Sequence, residues 1–320
     1  MFLLKGVSSR HWGLFVALCV LFVLRVLPAG AAAEGELKVL VSTYPIYQIT
    51  RNVVQGRGCL KLSLMLPAQL GCPHDYMLSP RDLEKLAGAD ILILNGLGLE
   101  GFLGVALENL GPGVKVIEAS AGISELLEDG GECCPSAGDG EGAHHEGHNP
   151  NPHLFASPLM SGRLALGIAA ALAEIDPSGK ELYSQNARIY SEKMDALAGQ
   201  WRELVKALAN RRIVQPHGVF DYLARDAGLR IVATLRAHGN EPSAAEMMAI
   251  VKEIKRSKAG AVFAEPQYPE KIGRTVAEEA GVAFAVLDPG ASGPEDAPLD
   301  YYEVLMRKNM DLLKTALRGD

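Results

Sequence analysis

His74, His153, His217 and Asp288 are the residues whose types and surroundings point to one chemistry, the binding of a divalent transition-metal ion. Three neutral imidazoles and a carboxylate suit Zn²⁺, with Mn²⁺ or Fe²⁺ admitted when more oxygen enters the shell. His74 lies in Gly71-Cys72-Pro73-His74-Asp75-Tyr76, His153 in Asn151-Pro152-His153-Leu154-Phe155, His217 in Gln215-Pro216-His217, and Asp288 in Val286-Leu287-Asp288-Pro289. The four lie far apart in sequence, and spacing alone does not bring them together. Taken singly, a histidine at a loop end is more often a surface or hydrogen-bonded residue, and an aspartate before proline is also an ordinary turn or cap.

The elements that would have to position them are legible from hydrophobic patterning. Short apolar runs at 37–41, 60–65, 91–94 and 114–117 read as strands, with helical patterns at 46–54, 80–86 and 99–110 between them. Residues 158–173 continue as a helix, Asp176-Pro177-Ser178 breaks it, and a pattern without proline then runs from about Lys180 to Leu208. A helix of that length makes a rod of roughly 40–45 Å. Strands follow at 213–215, 230–234, 260–264 and 283–287, with helices at 220–227, 244–257, 270–280 and 301–317. The expected fold is α/β: two lobes, each with a mainly parallel four-stranded sheet flanked by helices, joined by one long rigid helix. The expected divisions are a signal peptide at 1–33, an N-terminal lobe at 34–176, the connecting helix at 177–209 and a C-terminal lobe at 210–320. In open α/β sheets ligands collect at the carboxyl ends of strands, where His74, His217 and Asp288 fall.

Composition narrows the partners. The 320 residues are 48% hydrophobic and 22% charged, enough to bury a proper core. The net charge of −7 leaves no basic surface for neutralising phosphates, so no nucleic-acid partner is expected and a cation is the easier ligand. Lys5 and Arg10, an apolar run from Trp12 to Leu24 and small residues up to Ala33 form a signal-peptide layout, which places the mature chain in the periplasm or another extracytoplasmic space. That compartment is oxidising, and Cys59 and Cys72 are the candidate disulfide, while the role of the adjacent Cys133 and Cys134 stays open. Residues 124–152 lose apolar periodicity beyond Leu127 and read as a mobile loop carrying His144, His145 and His148.

The segments Ser42-Thr43-Tyr44-Pro45-Ile46-Tyr47, Pro73-His74-Asp75-Tyr76, Asn95-Gly96 with Leu99-Glu100, Asn151-Pro152-His153, Glu241-Pro242-Ser243 and Leu287-Asp288-Pro289 occur in an order that resembles the zinc/manganese-type substrate-binding proteins of bacterial ABC importers. The resemblance covers nearly the whole mature chain. It implies one metal in a cleft between two lobes and carries ligand roles to His74, His153, His217 and Asp288. It also implies a partner, an ABC permease with its ATPase, and a chain acting as a monomer. Three departures stand out: Gly218 follows His217 where such proteins often have aspartate, Phe155 replaces a frequent tryptophan, and Cys72 is near enough in sequence to His74 to be a ligand itself unless Cys59 holds it. A histidine rather than glutamate at position 217 leans toward zinc over manganese. The cluster at 144–148 leans the same way, because zinc members of the family commonly carry a histidine-rich loop there, and it is a candidate secondary metal loop. His238 is read as a loop residue.

Capture rather than catalysis is the expected function. A closed four-ligand shell has no open position for water, whereas a zinc hydrolase would keep three histidines and use Asp288 as a base. Neither an H-E-x-x-H helix nor a G-x-S-x-G elbow is present, and no G-x-x-x-x-G-K-[ST] loop could supply energy from ATP. A protein with a purely structural metal, of the adhesin kind, is the other alternative.

Overall fold

Parallel pairing sets the architecture. In the computed structural model, which describes residues 36–71, 73, 76–128, 150–235 and 242–318, β1 (Leu37–Val41) lies between β2 (Leu60–Leu64) and β3 (Ile91–Leu94), and β4 (Lys115–Glu118) completes the order β2-β1-β3-β4. A second sheet repeats that plan as β6-β5-β7-β8, from β5 (Arg212–Gln215), β6 (Arg230–Thr234), β7 (Ala261–Ala264) and β8 (Ala283–Val286). Every strand pair within the two sheets is parallel. Helices cover both faces of such sheets, which is why β3 reads Ile-Leu-Ile-Leu and is buried throughout instead of alternating with polar residues.

In the first sheet the crossovers include α1 (Tyr44–Val53), α2 (Pro80–Ala87) and α3 (Gly104–Glu108). Local chemistry explains their starts. Pro80 occupies the first turn of α2, and Ser79 exchanges hydrogen bonds with Asp82 in a capping box. The single helix expected over 99–110 is instead a 3₁₀ turn at Gly101–Leu103 followed by α3. Gly104 separates them with φ of +41° and ψ of −126°, a conformation that glycine adopts without a Cβ clash.

Helix α4 (Pro158–Ile175) leads through a short 3₁₀ turn into the long helix, α5 (Lys180–Lys206). Its 27 residues span about 40 Å. Tyr183, Ala187, Tyr190, Met194, Leu197, Trp201 and Val205 recur at three- and four-residue steps and are all buried, forming one apolar stripe. The stripe belongs to a continuous core that also takes in Val39 and Ile93 of the first sheet and Ile213 and Phe263 of the second. Helix α5 packs chiefly on α4 and also touches α1, α6 (Asp221–Ala227) and α9 (Tyr301–Ala316), so elements on either side of it in sequence share its surface. Two smaller clusters back the sheets, one around Leu40, Leu92 and Leu94, the other around Val214, Val262 and Ile254. Ile254 belongs to α7 (Ala244–Ser257), which packs against α8 (Lys271–Ala280).

Candidate functional site

The carboxyl ends of the strands carry an unusual density of buried polar residues: Ser42 and Thr43 after β1, Asn95 after β3, Gln215 and His217 at and beyond the end of β5, and Glu265 after β7. Buried polar groups need partners, and tracing those partners leads to the site.

Glu100 anchors the first sheet's side. Ser42 Oγ donates to Oε1 at 2.7 Å, the Asn95 amide donates to the same oxygen at 2.7 Å, and the Gly96 amide donates to Oε2 at 3.1 Å. The chain can return Glu100 to these donors because Gly96, Leu97 and Gly98 all take positive φ, of 83°, 56° and 81°. Burial pushes the Glu100 carboxyl up to about 7, held back by those three donors. Asn95 then donates from Nδ2 to the Pro152 carbonyl at 3.0 Å, which fixes the backbone immediately before His153.

His153 precedes the 3₁₀ turn Leu154–Ala156 and is fully buried. Asn151 Oδ1 lies 2.9 Å from both the His153 amide and its ring Nδ1, while Asn151 Nδ2 donates to the Gly218 carbonyl at 2.8 Å and to Asp221 Oδ2 at 2.9 Å. His217 lies just past the end of β5 and before the 3₁₀ turn Gly218–Phe220. Gln215 holds that turn, donating to Asp221 Oδ1 at 2.8 Å and accepting from the Phe220 amide at 3.2 Å.

The outcome is a pair of imidazoles 5.0 Å apart between ring centroids and inclined at 75°. Phe155 and Tyr268 flank the pair edge-on. Glu265, 1% exposed, has Oε1 2.7 Å from His217 Nδ1, an ion-pair distance, and among the described residues His217 Nε2 has no hydrogen-bond partner. Unpartnered polar atoms this deep are costly unless a ligand meets them.

Asp288 follows β8 with Leu287 between them. Its Oδ1 accepts from the Gly290 amide at 2.9 Å, and Asn309 Nδ2 donates to its carbonyl at 2.7 Å. Burial raises its carboxyl above the usual carboxylate range; the Gly290 bond works against this, and the charge of Glu265 adds to it. The charge of either group disfavours ionisation of the other.

Of the four residues expected as ligands, His153 and His217 are brought together. Among the described residues no three histidine, cysteine or carboxylate side chains converge closely enough to hold an ion by themselves, so Asp288 does not join the pair at that range. His74 lies outside the described residues, as do Cys72, the cluster His144, His145 and His148, Cys133, Cys134, His238 and the leader at 1–33. Cys59 is half-buried just before β2, and its expected bond to Cys72 falls outside as well. Sequence reasoning does not reach Glu265 or the bridging role of Asn151. A signal for Glu265 exists, since it follows β7 much as Asp288 follows β8, whereas nothing in sequence joins Asn151 to Gly218.

The family model for the zinc-uptake complex component A, periplasmic, matches residues 39–316. The zinc-binding lipoprotein AdcA of Streptococcus pneumoniae serotype 4 is 30% identical over 308 residues, which are 94% of this chain but 60% of that protein, so the chain spans less than two thirds of that relative's length. The high-affinity zinc uptake system protein ZnuA of Bacillus subtilis is 30% identical over 329 residues, covering 96% of this chain and 98% of the relative. The solved structure of the SBP FpvC from Pseudomonas aeruginosa in complex with Mn²⁺ superposes with a TM-score of 0.74 at 27% identity, covering 88% of this chain and 98% of that one. With nearly the whole described fold inside the family model and the Bacillus protein matched almost end to end, the chain belongs to the zinc-uptake complex component A family.

Proposed function

We propose that the protein is the extracytoplasmic solute-binding component of an ABC importer, which captures a divalent transition-metal ion, foremost Zn²⁺, and delivers it to a membrane permease driven by a separate ATPase. His153, His217, His74 and Asp288 are the ligands. The observation that carries this reading is the buried His153–His217 pair with the orphaned Nε2 of His217. Two imidazoles bonded to one tetrahedral ion at about 2.0–2.1 Å hold their ring centres about 5 Å apart, close to the spacing seen here. The role is capture, not catalysis: four protein donors close the shell against water.

In this reading residues 1–33 are removed on export, the lobes are 34–176 and 210–320, and the helix at 177–209 joins them. A shared core along that helix favours release by small local shifts over a wide hinge opening. Cys59 and Cys72 form a disulfide in the oxidising compartment, the histidines at 144, 145 and 148 gather zinc weakly, and the protein works as a monomer.

Mn²⁺ or Fe²⁺ is the second reading, favoured by Glu265, whose Oε1 lies 2.7 Å from His217 Nδ1, and by Asp288, which feels the charge of Glu265, because oxygen donors suit harder ions. Competition titration of the mature protein with Zn²⁺ and Mn²⁺ against a chromogenic chelator tests both. Tighter zinc binding, lost in His153→Ala and His74→Ala, is the expected result; preference for manganese would move the assignment to the second reading, and no binding of either would end both.

A further inference from the structure

Asn151 makes more contacts with the site than a loop residue needs, and their directions fix what each atom must be. Its side chain is completely buried. One end of the amide faces two acceptors, the Gly218 carbonyl at 2.8 Å and the Asp221 carboxylate at 2.9 Å, so that end is the NH₂ group. The other end is therefore the carbonyl oxygen, which accepts and cannot donate. It lies 2.9 Å from the His153 backbone amide and 2.9 Å from His153 Nδ1. For a neutral imidazole, only a proton on Nδ1 satisfies that contact, and Nε2 is then the nitrogen with the lone pair. The backbone of Asn151 is pinned as well, its amide donating to the Leu127 carbonyl at 2.8 Å and its carbonyl accepting from the Tyr222 hydroxyl at 2.8 Å.

The same side chain reaches the second histidine's segment. Gly218 is the residue after His217, and Asp221 opens α6 directly below it. A single amide thus holds His153 by its ring and His217 by its neighbouring peptide, across 67 residues of chain.

The geometry points to Asn151 as a positioning residue that locks His153 and His217 into one preformed two-histidine unit, with His153 held in the Nδ1–H tautomer, so that its Nε2 carries the lone pair a divalent cation needs. This rests on the metal-binding reading above and deepens it.

The test is long-range ¹H–¹⁵N correlation of the histidine rings in the metal-free, full-length mature protein, combined with zinc competition titrations. The expected wild-type result is His153 protonated on Nδ1 and bare on Nε2 at neutral pH. In Asn151→Ala the ring should shift toward the Nε2–H tautomer, and zinc affinity should fall about 10–100-fold. Asn151→Asp keeps an acceptor for His153 but sets a carboxylate against the Gly218 carbonyl and Asp221, so the tautomer should persist while affinity falls. A wild-type ring protonated on Nε2, or a folded Asn151→Ala protein with wild-type zinc affinity, overturns the proposal. The wild-type spectrum establishes the tautomer even if a variant fails to fold. A wild-type protein that binds no zinc would overturn the functional reading, while the tautomer would still decide the role of Asn151.

Discussion

Gly293 approaches Tyr44 so closely that a Cβ placed on the glycine would lie 2.5 Å from the tyrosine hydroxyl. That hydroxyl donates to the Pro294 carbonyl at 3.0 Å, and the Gly293 amide donates to the Ala68 carbonyl at 2.9 Å. Beside them Arg51 donates to the Ala297 carbonyl at 2.6 Å and Asn52 to the Leu299 carbonyl at 3.1 Å. The segment after Asp288 is thereby strapped onto α1 and onto the loop that leads toward His74. Gly293→Ala should destabilise the metal-free protein by about 1–3 kcal/mol, as overpacking does, and Tyr44→Phe in the same chain should recover part of that loss. Denaturant melts of the single and double variants check this; a neutral Gly293→Ala would mean that the strap yields easily.

Glu100 should leave a signature in the pH dependence of stability. Its folded pKa of about 7 lies above the ordinary 4.5, so the native chain holds the proton more tightly than the unfolded chain. Its contribution is therefore complete below the unfolded value and is lost as pH rises through the folded one. Glu100→Gln removes the titration. The stability of wild type relative to this variant should fall by up to about 3 kcal/mol between pH 4.5 and 7, read from paired urea melts. A flat difference across that range would contradict the assignment.

Arg57 and Asp176 give the opposite sign. Two guanidinium contacts of 2.9 Å join them, with side chains 19% and 11% exposed. Burial alone would raise the Asp176 carboxyl, but hydrogen bonds from Arg57, Ser178 and Tyr183 outweigh it and hold the group well below the usual carboxylate range. The stability this contributes is present above the unfolded value near 3.8 and is lost as pH falls through the lower folded one. Arg57→Met should cost about 1–3 kcal/mol at pH 7, and the gap from wild type should narrow below about pH 4. Acid titration of both proteins by circular dichroism would show it.

Deleting residues 139–148 tests the histidine cluster separately from the cleft. The expected outcome is a drop from more than one bound zinc to one, with the affinity of the remaining site unchanged. An unaltered stoichiometry removes the secondary site.

Periodicity carries most of the fold. Helix α7 falls at 244–257 as its apolar pattern predicts, and the strands lie within a residue of their apolar runs, because such patterning is local. The break at Gly104 is invisible to such patterning, because the apolar pattern continues through it and only the backbone conformation reveals the interruption. For the site, residue type and position after strands single out His217 and Asp288, but the meeting of His153 with His217 is a property of the tertiary fold. It depends on Asn95, Asn151 and Gln215, whose partners lie in other elements or beyond the next turn. Polar residues of that kind look like loop residues in a sequence, since nothing local marks them as buried.

The most direct measurement is an anomalous-difference map at the zinc edge from crystals of the mature protein grown with one equivalent of Zn²⁺. A single strong peak is expected about 2.0–2.1 Å from Nε2 of both His153 and His217, with His74 and Asp288 completing the shell. A peak elsewhere, or a peak bonded to neither imidazole of the pair, would contradict metal capture by these residues.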